Sequence, residues 1–138
     1  MSALIVFRLG SQRYAIPIAT VSEIMAILEA RAIPDMPIDW LGVANIRGQV
    51  TPIIDLRVRL GLPPRTPPLD APLIILKHAE RQLAVLVDKV ERIVQGDPTA
   101  TLAQASVELY DGELIILLES DKLFADTTSP VSQRKAES

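Results

Sequence analysis

The segment Asn45-Ile46-Arg47-Gly48 constrains this chain more than any other. It joins two short apolar runs, residues 42–46 and 49–56. A polar pair containing glycine, set between apolar runs, signals a tight hairpin, because glycine reaches positive φ at no steric cost. Gly48 is therefore read as a structural turn residue. Such a turn is a rigid mount for Arg47. Some twenty residues upstream, Val21-Ser22-Glu23-Ile24 carries one carboxylate that can meet the Arg47 guanidinium. The pattern suits an arginine that holds a surface in place better than it suits catalysis.

Short runs and turn signals recur along the chain. Residues 4–9 and 13–18 flank Gly10-Ser11-Gln12 and read as a second hairpin. Val21, Ile24 and Met25 fall at helical spacing, so residues 20–25 are expected to be helical, with Thr20 as N-cap. Pro34 and Pro37 mark a loop over 31–37, and Asp39 is expected to cap a short turn through Trp40 and Leu41. Pro52 lies inside an apolar run, which predicts an edge strand or a bulge there. The proline run at 63–68 reads as a stiff connector rather than a peptide ligand for another domain. Strands follow over 73–77, 83–88 and 90–94, then Asp111-Gly112 precedes a strand over 113–118. Residues 120–124 read as a terminal helical turn. The polar residues 126–138 are expected to be disordered. Many short strands with regular turns predict an all-β sandwich or barrel.

Composition excludes several functions. The 138 residues fit one domain with a core of its own, and with aromatics at only 4% that core is aliphatic. There is no cysteine and one histidine, His78, which reads as a solvated loop residue. No metal site and no cofactor are expected. A net charge of −3 argues against nucleic-acid binding, and Arg57 and Arg59 are the close basic pair of the folded part. No apolar run reaches the length of a membrane span, and the N-terminus has no basic region before its apolar residues. The expectation is a cytoplasmic protein without direct membrane insertion. Asp55, Asp88 and Asp111 end or interrupt strands, where aspartate is common, and no nucleophile elbow or phosphate loop accompanies them. Trp40 is expected in core or hinge packing.

The order and spacing of these segments resemble a known family. Val6-Phe7-Arg8-Leu9-Gly10, Tyr14-Ala15-Ile16-Pro17-Ile18, Val21-Ser22-Glu23-Ile24, Gly42-Val43-Ala44-Asn45-Ile46-Arg47-Gly48, Pro52-Ile53-Ile54-Asp55-Leu56-Arg57 and Leu86-Val87-Asp88-Lys89-Val90 follow the pattern of CheW-like adaptor domains of bacterial chemosensory systems. The resemblance covers residues 4–124. It implies two intertwined SH3-like five-stranded β-barrels with short helices, in one CheW-like domain over 1–125. The first barrel would take about 17–72, and the second about 1–16 plus 73–125. It also implies a non-catalytic adaptor that binds the cytoplasmic hairpin tip of chemoreceptors and couples it to the regulatory domain of a CheA-type histidine kinase, or organises receptor arrays. The receptor-binding groove between the barrels would include Val21, Glu23, Ile24, Asn45, Arg47 and Val87, with Glu23 and Arg47 as its acidic and basic pair.

One stretch departs from that family. Between Val94 and Tyr110 the chain lacks the usual apolar-x-Gly-apolar strand, so the second barrel is expected to be about one strand short. The gap would be covered by residues 99–109, by another chain, or by strand exchange in a homodimer. The main alternative is therefore a receptor-binding accessory protein that does not recruit the kinase. A small β-barrel enzyme and a nucleic-acid-binding barrel are the remaining alternatives.

Overall fold

The computed structural model describes residues 2–63, 65–97, 100–102, 105–110, 112–125 and 127. β1 (Ser2–Leu9) and β2 (Gln12–Pro17) form the expected first hairpin, with Leu9 opposite Gln12. A single 3-10 turn at Ile18–Thr20 leads into β3 (Val21–Ala26). This corrects the helix expected over 20–25. The register of β3 against β6 (Pro72–His78) skips Ser22, a bulge that puts Val21 and Ile24 on one face. A bulged strand thus reproduces the three-residue spacing of a helix, and the β-branched residues prefer the strand. Thr20 does not cap a helix; its hydroxyl donates to the Pro17 carbonyl and bonds the Ser120 hydroxyl at 2.6 Å.

β4 (Trp40–Ile46) and β5 (Gln49–Asp55) are the hairpin of the Arg47-Gly48 turn. Trp40 starts the strand instead of a capped turn, and the Asp39 carboxylate accepts from Arg59 Nε. Pro52 sits in an interior strand, not an edge. Its opposite neighbour is Val43 of β4, while pairing with β7 (Arg81–Leu86) begins only at Ile53, so no bond to β7 is lost. Asp55 then caps the one-turn helix α1 (Leu56–Arg59), accepting from the Arg57 N–H at 3.1 Å.

Two sheets result. The five-stranded sheet runs β3-β6-β7-β5-β4. The six-stranded sheet runs β8-β1-β2-β11-β10-β9, with β8 at Lys89–Gly96, β9 at Ala100–Leu102, β10 at Ala105–Tyr110 and β11 at Glu113–Leu117. This moves the expected boundary: residues 73–86 belong with the first half, and the chain changes sheets at Val87-Asp88. The proline-rich connector looks like a division, but Leu73, Ile75, Ala84 and Leu86 complete the core that Ile46 and Ile53 begin. The expected shortfall of a strand is also corrected. β9 and β10 supply the pairing from within the chain, with Ser106 opposite Leu117 and Val107 opposite Ile116. Of the three covers offered for the gap, the segment over 99–109 is the one the structure supports, and strand exchange loses its ground. The segment carries too little periodic apolar signal to be read as strands before its partner is known.

The edges of the five-stranded sheet are drawn together. Beyond β3, Arg31 exchanges two backbone hydrogen bonds with Val43 of β4, at 2.8 and 2.9 Å. Gly42 makes this approach possible: a Cβ there would lie 2.8 Å from the Arg31 carbonyl oxygen. Among the described residues, burial then separates into three apolar groups. Ile46, Ile53, Ala71, Leu73, Ile75, Ala84 and Leu86 fill the five-stranded half. Leu4, Val6, Ala15, Val94, Ile115 and Leu117 fill the six-stranded half. The largest group lies between the sheets, with Phe7, Tyr14 and Ile16 from one and Trp40, Ile54, Ile74, Leu83 and Val85 from the other. The helix α2 (Ser120–Ala125) follows the six-stranded sheet and sends Leu123 and Phe124 into this shared core. Thr127, assigned above to a disordered tail, is buried and hydrogen-bonded to Arg59, Arg81 and Leu123. The remainder of that tail, 126 and 128–138, lies outside the described residues.

Candidate functional site

The hairpin turn takes left-handed conformations at both central residues, φ 55 at Arg47 and φ 80 at Gly48. Gly48 does so freely, whereas Arg47 holds a conformation that an L side chain rarely adopts. The Asn45 side chain steadies the turn by accepting from the Gly48 N–H at 3.0 Å. Arg47 then reaches β3, where its Nε and Nη2 donate to the two Glu23 carboxylate oxygens, both at 2.9 Å. The hydrogen bond from Arg47 holds the Glu23 carboxyl below its ordinary range, and Glu23 raises Arg47 in return. The pair ties β3 to the β4–β5 turn beside the Arg31–Val43 bridge. Arg47 remains 70% exposed, so it is a solvated fork and not a buried charge.

Register places the apolar residues. Ile24 lies opposite Ile74 and Val21 opposite Leu76, both members of the shared core, so Val21 and Ile24 point to the side of β3 that meets the other sheet. Val21 is half-buried there and Ile24 is 43% exposed. Asn45, two residues beyond Val43, is exposed on the same side of β4. Val87 is different. It is 1% exposed inside the shared core, because the crossing at Val87-Asp88 carries it between the sheets. It can support a surface but cannot line one. The structure therefore brings Glu23 and Arg47 into contact, sets Val21, Ile24 and Asn45 on one side of the sheet, and removes Val87 from the surface.

Sequence reasoning missed Ile93. It is 58% exposed and lies opposite Ile5, on the face of the six-stranded sheet that turns toward its neighbour. Here too a bulge conceals the pattern: the register skips Glu91, so Val90 and Ile93 share a face three residues apart. Ile18, at 36% exposure, sits in the turn between the sheets. Exposed branched aliphatic residues at the margin of a packed core can meet a partner's apolar face without refolding the core.

The acids once weighed as catalytic are engaged elsewhere. Asp55 caps α1, and Asp88 pairs with Arg57 and accepts from the Gly10 N–H at 2.7 Å. Asp111 lies outside the described residues. His78 is half-exposed, 3.6 Å from Asp121, with its ring against Phe124. Trp40 is buried in the shared core. Among the described residues no group of three His, Cys, Asp or Glu gathers as metal ligands. No helix among them is long and apolar enough to cross a membrane.

Residues 3–128 match the model of the CheW-like domain. A probable chemotaxis protein CheW of Rhizobium etli is 35% identical over 138 residues, covering 91% of this chain and 89% of that protein. The chemotaxis protein CheW of Rhizobium meliloti is 32% identical, with coverage of 96% and 90%. Among solved structures, the scaffolding protein TtCheW from Thermoanaerobacter tengcongensis superposes with a TM-score of 0.76 at 25% identity, over 84% of this chain and 87% of that one.

Proposed function

The chain belongs to the CheW-like domain family, and from that premise we propose that it is a chemosensory coupling adaptor that joins the cytoplasmic tip of chemoreceptors to a CheA-type histidine kinase. It works by binding and not by turnover. The protein acts in the cytoplasm, recruited to receptor arrays.

The observation that carries the receptor-binding reading is the margin of the shared core. Ile24 and Ile93, from different sheets, are 43% and 58% exposed on the faces that turn toward each other. A helical hairpin presents an apolar stripe of matching character, and burial of a few aliphatic anchors dominates such interfaces. Glu23 and Arg47 hold the adjoining edge, and Asn45 adds a polar contact near the turn. Val21 contributes at the half-buried rim, and Val87 supports it from beneath. An accessory protein without kinase recruitment was favoured by a missing strand. With β9 and β10 in the six-stranded sheet, that reason is gone, and coupling to the kinase is part of the proposal.

Paired titrations on one preparation test it, against the receptor tip and the kinase regulatory domain of the same system. The unsubstituted protein is expected to bind both. Ile24→Asp is expected to weaken the receptor tip by at least about tenfold, or 1.4 kcal/mol, while leaving the kinase domain within about twofold. Absence of binding to either partner by a folded sample would overturn the reading.

A further inference from the structure

Apolar contact between the two sheets is non-directional, so it holds them together without fixing the angle between them. Among the described residues, no strand of one sheet is hydrogen-bonded to a strand of the other. Many of the directional bonds that cross between the halves gather at α1, while the Thr20–Ser120 hydroxyl pair and Arg81 supply others. This helix is a single turn at the end of β5, capped by Asp55 and anchored by Leu56 in the shared core. Its two arginines reach in different directions.

Arg57 is 8% exposed and pairs with both oxygens of Asp88, at 3.3 Å from Nε to Oδ1 and at closer range from Nη2 to Oδ2. Asp88 is where the chain passes from β7 of one sheet to β8 of the other. The same carboxylate accepts from Gly10 in the β1–β2 turn, and the Asp88 N–H donates to the Arg8 carbonyl at 3.0 Å. Arg59 binds Asp39 just before β4, and also the Leu123 carbonyl and the Thr127 hydroxyl, at 3.4 and 2.8 Å. Those last two residues belong to the segment that crosses back from the six-stranded sheet. Arg81 of β7 completes this clasp, donating to the Phe124 carbonyl at 3.0 Å and lying 5.3 Å over its ring.

Resting on the adaptor reading above, we propose that α1 is the hub that fixes the angle between the sheets, and that Arg57 and Arg59 are positioning residues for coupling. Planar guanidinium forks bind at defined angles, so they specify what the shared core leaves free. An adaptor must hold two partners in one relative geometry. A loosened hub leaves each docking surface intact and degrades the relation between them.

The test uses Arg57→Lys, which keeps the charge and loses the fork. Spin labels on Glu80→Cys and Gln95→Cys, one exposed position in each half, report the distance between the sheets; the chain has no cysteine of its own. With folding verified by thermal melting, the distance distribution is expected to broaden. Separate affinities for the receptor tip and the kinase domain are expected to stay within about twofold, while receptor-controlled kinase activity in reconstituted arrays falls about tenfold, within the usual span of coupling between sites. A merely structural role would lower the melting temperature and leave this split absent. An unchanged distance distribution, or unchanged coupling, in the folded variant overturns the proposal. If Arg57→Lys does not fold, Arg59→Lys carries the same measurement from the other arm. The distance arm needs no partner, so failure of the hub is distinct from failure of the adaptor reading, which would show as absent binding by the unsubstituted protein.

Discussion

The two halves of this protein solve the same packing problem by different means. In the five-stranded half, seven buried residues fill the interior, and the sheet edges meet through Arg31–Val43 and Glu23–Arg47. A buried amide reinforces it: Gln82 Nε2 donates to the Ile46 carbonyl and the Thr51 hydroxyl, both at 2.8 Å. In the six-stranded half, the buried group of Leu4, Val6, Ala15, Val94, Ile115 and Leu117 borders a mainly apolar cleft of about 170 Å³, lined by Leu4, Pro17, Gly96 and Leu117 among others. Its cohesion comes partly from the surface, where Arg13 of β2 joins Glu91 of β8 and Glu113 of β11. Packing and buried hydrogen bonds dominate the first half, with an exposed ion pair at its edge. The Arg13 ion pairs make part of the second half's stability dependent on pH and salt.

The largest expected effect compares the two interiors directly. Ile75→Ala should cost about 4 kcal/mol, because the packed interior cannot collapse around the void, whereas Ile115→Ala, in the buried group whose Leu4 and Leu117 border the cleft, should cost about 2 kcal/mol. Denaturant unfolding of both variants decides this, and equal losses would break the contrast. Next, Gln82→Met should lose about 2 kcal/mol, since it leaves the Ile46 carbonyl and the Thr51 hydroxyl without their donor in a buried site. A neutral result would mean that packing alone sustains the five-stranded half.

A smaller effect should appear in acid. Burial pushes the Glu91 carboxyl up, but the hydrogen bond from Arg13 and the charges of Arg13 and Arg8 outweigh it, so its folded pKa is lowered. The folded state then binds fewer protons than the unfolded chain. The Glu91 contribution is therefore present above the ordinary carboxylate value and is lost as pH falls through the lowered one. Melting temperature against pH should show a shallower acid decline in Glu91→Gln than in the unsubstituted protein. The smallest effect belongs to the solvated seam. Glu23→Gln should leave the melting temperature nearly unchanged and be insensitive to added salt, because Arg47 is exposed and recovers its hydration. A large loss would make the seam part of the five-stranded half's foundation instead of its outer edge.

Much of the site was legible before the fold was known. The Arg47-Gly48 turn, its pairing with Glu23, and the first two hairpins follow from turn chemistry and from the order of short apolar runs. The errors share a cause. Bulges at Ser22 and Glu91 each add one residue to a strand, so same-face residues fall three apart in sequence. Period alone then reads β3 as a helix and gives no reason to place Ile93 beside Val90 on the face toward the other sheet. The family resemblance implied Val87 as a groove residue, yet the crossing between sheets leaves it 1% exposed.

The sequence by itself determined the class, the aliphatic core, the hairpins and the polar turn that mounts Arg47, because each depends on residues close along the chain. The tertiary structure alone decided which sheet β6 and β7 join, that β9 and β10 complete the second sheet, and that Arg57 and Arg59 reach across both halves. Those outcomes depend on which distant surfaces remain to be covered once the hairpins have formed. A strand with weak periodicity, or an arginine with several acids within reach, acquires its partner only from that long-range competition.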